Sequence, residues 1–71
     1  MTTKKPVHPG EVLQNEFLAP LNLSAGALAK ACGVPRPRIE KIVSQRIGVE
    51  AGTALRLARA LGTTPELWLD L

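Results

Sequence analysis

Residues 28–44 read Leu-Ala-Lys-Ala-Cys-Gly-Val-Pro-Arg-Pro-Arg-Ile-Glu-Lys-Ile-Val-Ser. Cys32 lies three residues after Ala29 and four after Leu28, the spacing that puts side chains on one face of a helix. Gly33 follows at once, and glycine readily adopts the left-handed conformation that ends a helix. The stretch therefore predicts two short helices that meet at a sharp corner, a helix-turn-helix unit.

The second helix of this unit is predicted to start around two prolines. Pro35 and Pro37 fit a first helical turn, where a missing N–H costs little. Ile39, Ile42 and Val43 form the apolar stripe that this helix would bury. The opposite face carries Arg36, Pro37, Arg38, Glu40, Lys41, Ser44 and Gln45, of which all but the proline are polar or charged. A helix whose exposed face is this basic is a candidate for the major groove of DNA.

The composition favours a single all-α domain. The chain has 71 residues, 45% of them hydrophobic, and Phe17 and Trp68 are its only large aromatic side chains. A core of leucine, isoleucine, valine and alanine favours packed helices, because β-rich chains depend more on aromatic and β-branched residues. The six glycines and six prolines fall mostly between the apolar segments, where they would separate short helices.

Several classes of protein are excluded by the sequence. No apolar run approaches membrane-spanning length, and the start of the chain lacks the apolar core of a signal peptide, so we expect a soluble, cytoplasmic protein. Cys32 has no second cysteine to pair with and is predicted to be a buried small hydrophobe. His8 has no second His, and no neighbouring Cys, with which to share a metal. With no nucleophile–base pair either, we expect neither an enzyme nor a cofactor.

The charge is concentrated in one segment. The formal net charge of the chain is +3. The segment from residue 36 to residue 46 also has a net charge of +3, because Glu40 offsets one of its four basic residues, Arg36, Arg38, Lys41 and Arg46. A solvated helix face would explain any one of these charges. Their clustering on the outward side of a helix-turn-helix favours contact with nucleic acid instead.

The remainder of the chain divides into an arm and a helical domain. Residues 1–7 are predicted to form a flexible N-terminal arm, and residues 8–71 the helix-turn-helix domain. The first helix would run from Pro9 to about Ala19, and Pro20 would stop it.

Capping residues predict the boundaries of the other helices. Ser24 is the predicted N-cap of the second helix, and Thr64 that of the fifth. The fourth helix would span residues 50–61 and end at Gly62. Its predicted buried face consists of Ala51, Ala54, Leu55, Ala58 and Leu61. Trp68 would either complete the core or lie in a contact between subunits.

Five motifs together resemble the HigA-type antitoxins of the phage-repressor-like (XRE) helix-turn-helix family. They are His8-Pro9-Gly10-Glu11, Ser24 with Leu28-Ala29, Gly33-Val34-Pro35-Arg36, Thr53-Ala54-Leu55-Arg56-Leu57-Ala58 and Gly62-Thr63-Thr64-Pro65-Glu66-Leu67-Trp68-Leu69. The resemblance implies a lambda-repressor-like fold of five helices and a homodimer that binds a palindromic operator in its own promoter. It also implies a neighbouring HigB-like ribonuclease toxin that the antitoxin neutralises.

The resemblance also assigns candidate DNA contacts. By position, Arg36, Pro37 and Lys41 match residues that face base edges in such repressors. Arg38 and Arg46 would suit backbone phosphates, as would Ser24, and Gln45 on the outward face completes the predicted DNA-binding set. An arginine can donate two hydrogen bonds to guanine O6 and N7. Since Glu40 lies four residues after Arg36, we expect a pair that orients this arginine.

Three departures from the family pattern suggest weaker or altered operator binding. Ala25 stands where many relatives carry Gln, Ser44-Gln45 replaces the usual Asn-Gly, and Ile47 follows Arg46 in place of a second basic residue. Two alternatives therefore stay open. One is a toxin-binding adaptor with little affinity for DNA, and the other is a stand-alone phage-type regulator without a toxin.

Overall fold

Five helices make up residues 7–71, the part of the chain that the computed structural model describes, and this part contains no strand. The first helix, α1, consists of α-helical Pro9–Val12, π-helical Leu13–Leu18 and α-helical Ala19–Leu21. It is followed by α2 (Ala25–Cys32), α3 (Arg36–Val43), α4 (Ala51–Leu61) and α5 (Pro65–Leu69). The prediction of five short helices is confirmed. Apart from the exposed Val7, the predicted arm lies outside the described residues.

The predicted caps explain where α2 and α5 begin. The Ser24 hydroxyl accepts a hydrogen bond from the Ala27 N–H at 3.0 Å, and the Thr64 hydroxyl accepts one from the Leu67 N–H at 3.3 Å. Each satisfies an N–H that the first helical turn leaves without a partner. The end of α2 is also as predicted, because Gly33 adopts a φ of 70°.

The predicted stop at Pro20 is wrong. Helix α1 continues through Pro20 to Leu21 and ends at Asn22, whose φ of 53° is left-handed. The reason is the π-helical segment, in which the Ala19 N–H donates to the Gln14 carbonyl five residues back. In an α-helix the proline ring would collide with the carbonyl four residues before it, whereas the wider π turn gives the ring room.

The predicted buried face of α4 is partly wrong. Ala51 and Leu55 are exposed, Leu55 at 58% of its full surface, while Thr53 and Leu57 are buried beside the predicted Ala54 and Ala58. Spacings of three and four fit more than one choice of face in a helix this rich in small apolar residues. Packing against α2 and α5 selects the face that contains Leu57.

Trp68 belongs to the core of the domain. Its side chain is 1% exposed, and its ring centroid lies 5.4 Å from that of Phe17. The indole N–H donates to the Thr63 hydroxyl at 2.8 Å, so the one polar atom of the ring is satisfied. The rest of the buried cluster comprises Leu13, Leu18, Leu28, Ala29, Cys32, Val34, Ile39, Ile42, Ala54 and Leu57.

Cys32 is buried in this cluster, as predicted. Burial raises the pKa of the Cys32 thiol, although the nearby Arg56 guanidinium opposes this effect. The thiol is therefore protonated, and unreactive, at neutral pH. Arg56 also donates a hydrogen bond to the Cys32 carbonyl at 3.2 Å, which places a positive charge at the carboxyl end of α2.

The start of α1 packs directly on the end of α3. His8 caps α1, since its Nδ1 accepts a hydrogen bond from the Gly10 N–H at 2.9 Å. A Cβ atom on Gly10 would overlap the carbonyl oxygen of Ile42. Only glycine allows the two backbones to approach this closely, so this contact sets the distance between α1 and α3.

We expect Gly10→Ala to lower the free energy of unfolding by about 1–3 kcal/mol, because the added methyl group must displace backbone. The higher helix propensity of alanine would recover at most about 1 kcal/mol of this loss. Urea denaturation measures the change. Gly48→Ala is the matched control, since a Cβ there meets no atom within 4 Å. Equal midpoints for the two variants would contradict the proposed role of Gly10.

Candidate nucleic-acid interface

The turn between α2 and α3 orients the candidate recognition helix. The Val34 N–H donates to the Ala29 carbonyl at 3.0 Å, and the Val34 side chain is 8% exposed. The chain thus folds back on α2 directly after Gly33. Pro35 occupies the N-cap position of α3, where it has no N–H to leave unsatisfied.

Helix α3 buries one face completely. Ile39 and Ile42 are both 0% exposed. At 100° per residue, Pro37 and Lys41 lie opposite these two side chains and therefore point away from the core. All seven residues predicted to contact DNA are exposed: Ser24, Arg36, Pro37, Arg38, Lys41, Gln45 and Arg46.

The side chain of Arg36 extends toward the first turn of α2. The predicted pair with Glu40 is present, with Arg36 Nε 2.9 Å from Glu40 Oε2. The same side chain lies over Gly26, since a Cβ placed there would be 3.5 Å from Arg36 Nε and 3.6 Å from Cζ. Arg36 is therefore near the amino-terminal end of α2, which Ser24 caps.

The side chain of Arg38 extends in the opposite direction, toward α4. Its Nη1 lies 2.7 Å from Oε1 of Glu50, the N-cap residue of α4. Helical spacing does not predict this pair, because the partners are 12 residues apart and belong to different elements. Both ion pairs are largely exposed, and such pairs contribute at most about 1 kcal/mol. A phosphate or a base edge can therefore compete with either carboxylate.

In the turn after α3, a residue other than glycine adopts the left-handed backbone conformation. Gln45 has a φ of 65°, and its N–H donates to the Ile42 carbonyl at 2.9 Å. The Arg46 N–H donates to the Lys41 carbonyl at 2.8 Å, which closes the turn. The departure from Asn-Gly at Ser44-Gln45 thus leaves the turn intact and places Gln45 and Arg46 directly after the exposed end of α3.

Charge is unevenly distributed over the described residues. All of their lysine and arginine side chains lie between residues 30 and 59. The charged residues of α1 and α5 are all acidic. The basic residues of this central part are Lys30, Arg36, Arg38, Lys41, Arg46, Arg56 and Arg59. Four of these residues belong to α3 and the turn after it, so a polyanion would be attracted to this helix.

The fold and the exposed basic helix define a protein of the helix-turn-helix class. The chain belongs to the helix-turn-helix family, whose sequence model matches residues 15–68. This is not a family of enzymes, in agreement with the sequence prediction.

The family contains close relatives of this chain. The chain is 49% identical to virulence-associated protein I of Dichelobacter nodosus over 65 residues, which are 92% of the chain and 60% of that protein. It is 41% identical to antitoxin HigA-1 of Vibrio cholerae over 70 residues, which are 99% of the chain and 66% of that protein. The chain thus spans about two thirds or less of the length of these relatives.

Solved structures of antitoxins have the same fold. Antitoxin GraA superposes with a TM-score of 0.91 at 48% identity over 96% of this chain and 73% of that one. The antitoxin HigA of Pseudomonas aeruginosa, solved with the higBA promoter, gives 0.89 at 39% identity over 93% and 72%. The resemblance to HigA-type antitoxins is thereby confirmed. Among the described residues, no helix is long and apolar enough to cross a membrane.

We expect Gln45→Gly to raise the free energy of unfolding by about 1 kcal/mol, because glycine adopts a positive φ without the steric cost that glutamine bears. Urea denaturation measures the gain. Gln45→Ala removes the same side-chain contacts but retains the strained φ, so this control should show no gain. Equal stabilisation by both substitutions would mean that strain at residue 45 is negligible.

Proposed function

We propose that this protein is a sequence-specific DNA-binding antitoxin that represses its own operon. The main support for the proposal is the exposed basic face of α3, which is rigidly oriented by the burial of Ile39 and Ile42. The similarity to antitoxins solved with promoter or operator DNA supports the same conclusion.

In this proposal α3 enters the major groove. Pro37 and Lys41, opposite the buried face, would contact base edges together with Arg36, and Pro37 could pack on a thymine methyl group. Arg38 and Arg46, on the flanks of α3, would contact phosphates. Ser24, at the amino-terminal end of α2, would contact the DNA backbone, where the partial positive charge of the helix end attracts phosphate.

The assembly is also part of the proposal. A homodimer would place two copies of α3 one helical turn of DNA apart, which matches a palindromic operator. The antitoxin would neutralise a HigB-like ribonuclease, as the family resemblance and the name of the relative HigA-1 suggest. Binding to an operator requires the protein to be in the cytoplasm, where the promoter is accessible.

A toxin-binding adaptor with little affinity for DNA is the second candidate. It is favoured by Ala25 and Ile47, which stand where the family resemblance implies a polar and a basic residue, and by the carboxylates that already pair with Arg36 and Arg38. A gel shift with the protein's own upstream region distinguishes the candidates. A shifted band at low salt supports the repressor, and no shift supports the adaptor.

We expect Arg36→Ala and Arg46→Ala to weaken DNA binding in different ways. Loss of Arg36 should cost about 1–3 kcal/mol of discrimination at one base pair, because an arginine that reads guanine supplies a bidentate contact. Loss of Arg46 should weaken all duplexes alike and reduce the slope of log K against log salt by about 1, because one phosphate contact disappears. Fluorescence anisotropy at several salt concentrations measures both effects.

Arg59→Ala is the control for this pair of variants. Arg59 is exposed on α4, beside Lys30 and Ala60, and lies outside the proposed interface. It should leave discrimination unchanged. If Arg59→Ala and Arg36→Ala had the same effect, the proposed docking of α3 would be wrong.

A further inference from the structure

Two arginines of α3 are each bound by a carboxylate, but through different nitrogens. Arg36 uses Nε to reach Glu40, whereas Arg38 uses the terminal Nη1 to reach Glu50. A guanidinium has five N–H donors in a fixed plane, and the nitrogen that is already occupied decides which pairs of donors stay available.

The Nε contact leaves the terminal edge of Arg36 free. Both Nη atoms can still donate in parallel, which is the geometry that matches guanine O6 and N7. The opposite, side-on pair would need Nε and therefore requires the Glu40 contact to break. The first turn of α2 lies beside this guanidinium, since a Cβ on Gly26 would meet Arg36 Nε at a van der Waals distance of 3.5 Å.

The Nη1 contact has the opposite consequence for Arg38. While Glu50 holds Nη1, the terminal pair of donors is incomplete, and the side-on pair of Nε and Nη2 is the one that stays complete, a pair that can donate to the oxygens of a phosphate. The position of Arg38 on the flank of α3 agrees with this assignment, because the flanks face the DNA backbone when a helix lies in the groove.

We propose that Glu40 is a specificity-determining, positioning residue: it fixes Arg36 so that the terminal edge of its guanidinium reads one guanine. Glu50 does not share this role, and only lowers the affinity of Arg38 for phosphate on any duplex. Glu40 acts through Arg36 and makes no contact with a base. The inference rests on the proposed DNA-binding function.

The test begins with the wild-type protein. Sites are selected from random duplex DNA, and the base pair at which Arg36→Ala loses discrimination is then identified. Dissociation constants for the selected duplex and for the duplex changed at that base pair are measured by fluorescence anisotropy at one salt concentration. Their ratio is the discrimination, and thermal unfolding checks that each variant is folded.

We expect Glu40→Ala to reduce this ratio by up to about fivefold, the most that an exposed ion pair can contribute, because a free Arg36 samples orientations that do not match guanine. Affinity for the changed duplex should rise at the same time, since one negative charge leaves the interface. Glu40→Gln should keep part of the discrimination, because its amide oxygen can still accept from Nε. Glu50→Ala, the matched control, should tighten binding to both duplexes and leave the ratio unchanged.

The outcomes separate this inference from the proposed function. If Glu40→Ala binds both duplexes with the wild-type ratio, or loses discrimination at a different base pair, the positioning role is wrong while DNA binding stands. In an Arg36→Ala background, Glu40→Ala should have no further effect on the ratio, and an additive effect would also overturn the proposal. If Glu40→Ala does not fold, the ratio for Glu40→Gln decides. A wild-type protein without sequence preference would overturn both.

Discussion

The burial of Ile39 and Ile42 is the constraint on which the exposed chemistry depends. Both side chains are removed completely from solvent, so α3 cannot rotate about its axis without exposing one of them. Full burial of a side chain of this size contributes on the order of 1.5–3 kcal/mol. The burial of Ile39 and Ile42 therefore sets the direction in which the polar side chains on the exposed face of α3 point.

The neighbours of α3 hold it at both ends. The turn at Gly33 and Val34 fixes its start against α2, and the close approach of Gly10 to the Ile42 carbonyl fixes its end against α1. The exposed face therefore rests on a rigid frame rather than on a loop. Rigid support is what a surface needs if small differences between base edges are to change its affinity.

The sequence predicted the features of this fold that depend on near neighbours in the chain. The caps at Ser24 and Thr64 and the left-handed ends at Gly33 and Gly62 follow from the preferences of single residues. Passage of α1 through Pro20 could not be foreseen, because it depends on a π-helical segment that no local propensity indicates. The buried face of α4 was also partly wrong, since packing against another helix selects it.

The same distinction applies to the candidate site. The exposed basic residues and the pair between Arg36 and Glu40 follow from helical spacing alone. Contacts between elements, such as Arg38 with Glu50 and Arg36 over Gly26, have no signal in a single sequence, because they join segments that only the fold brings together. The roles of these residues toward DNA stay predictions.

The enclosed indole of Trp68 has a practical consequence. It is the only tryptophan of the chain, and it lies against Phe17 in a dry environment. Its emission is therefore an intrinsic optical signal that shifts to longer wavelength when water reaches the ring. Because the ring is 1% exposed, a change in this signal reports a loss of packing in the core.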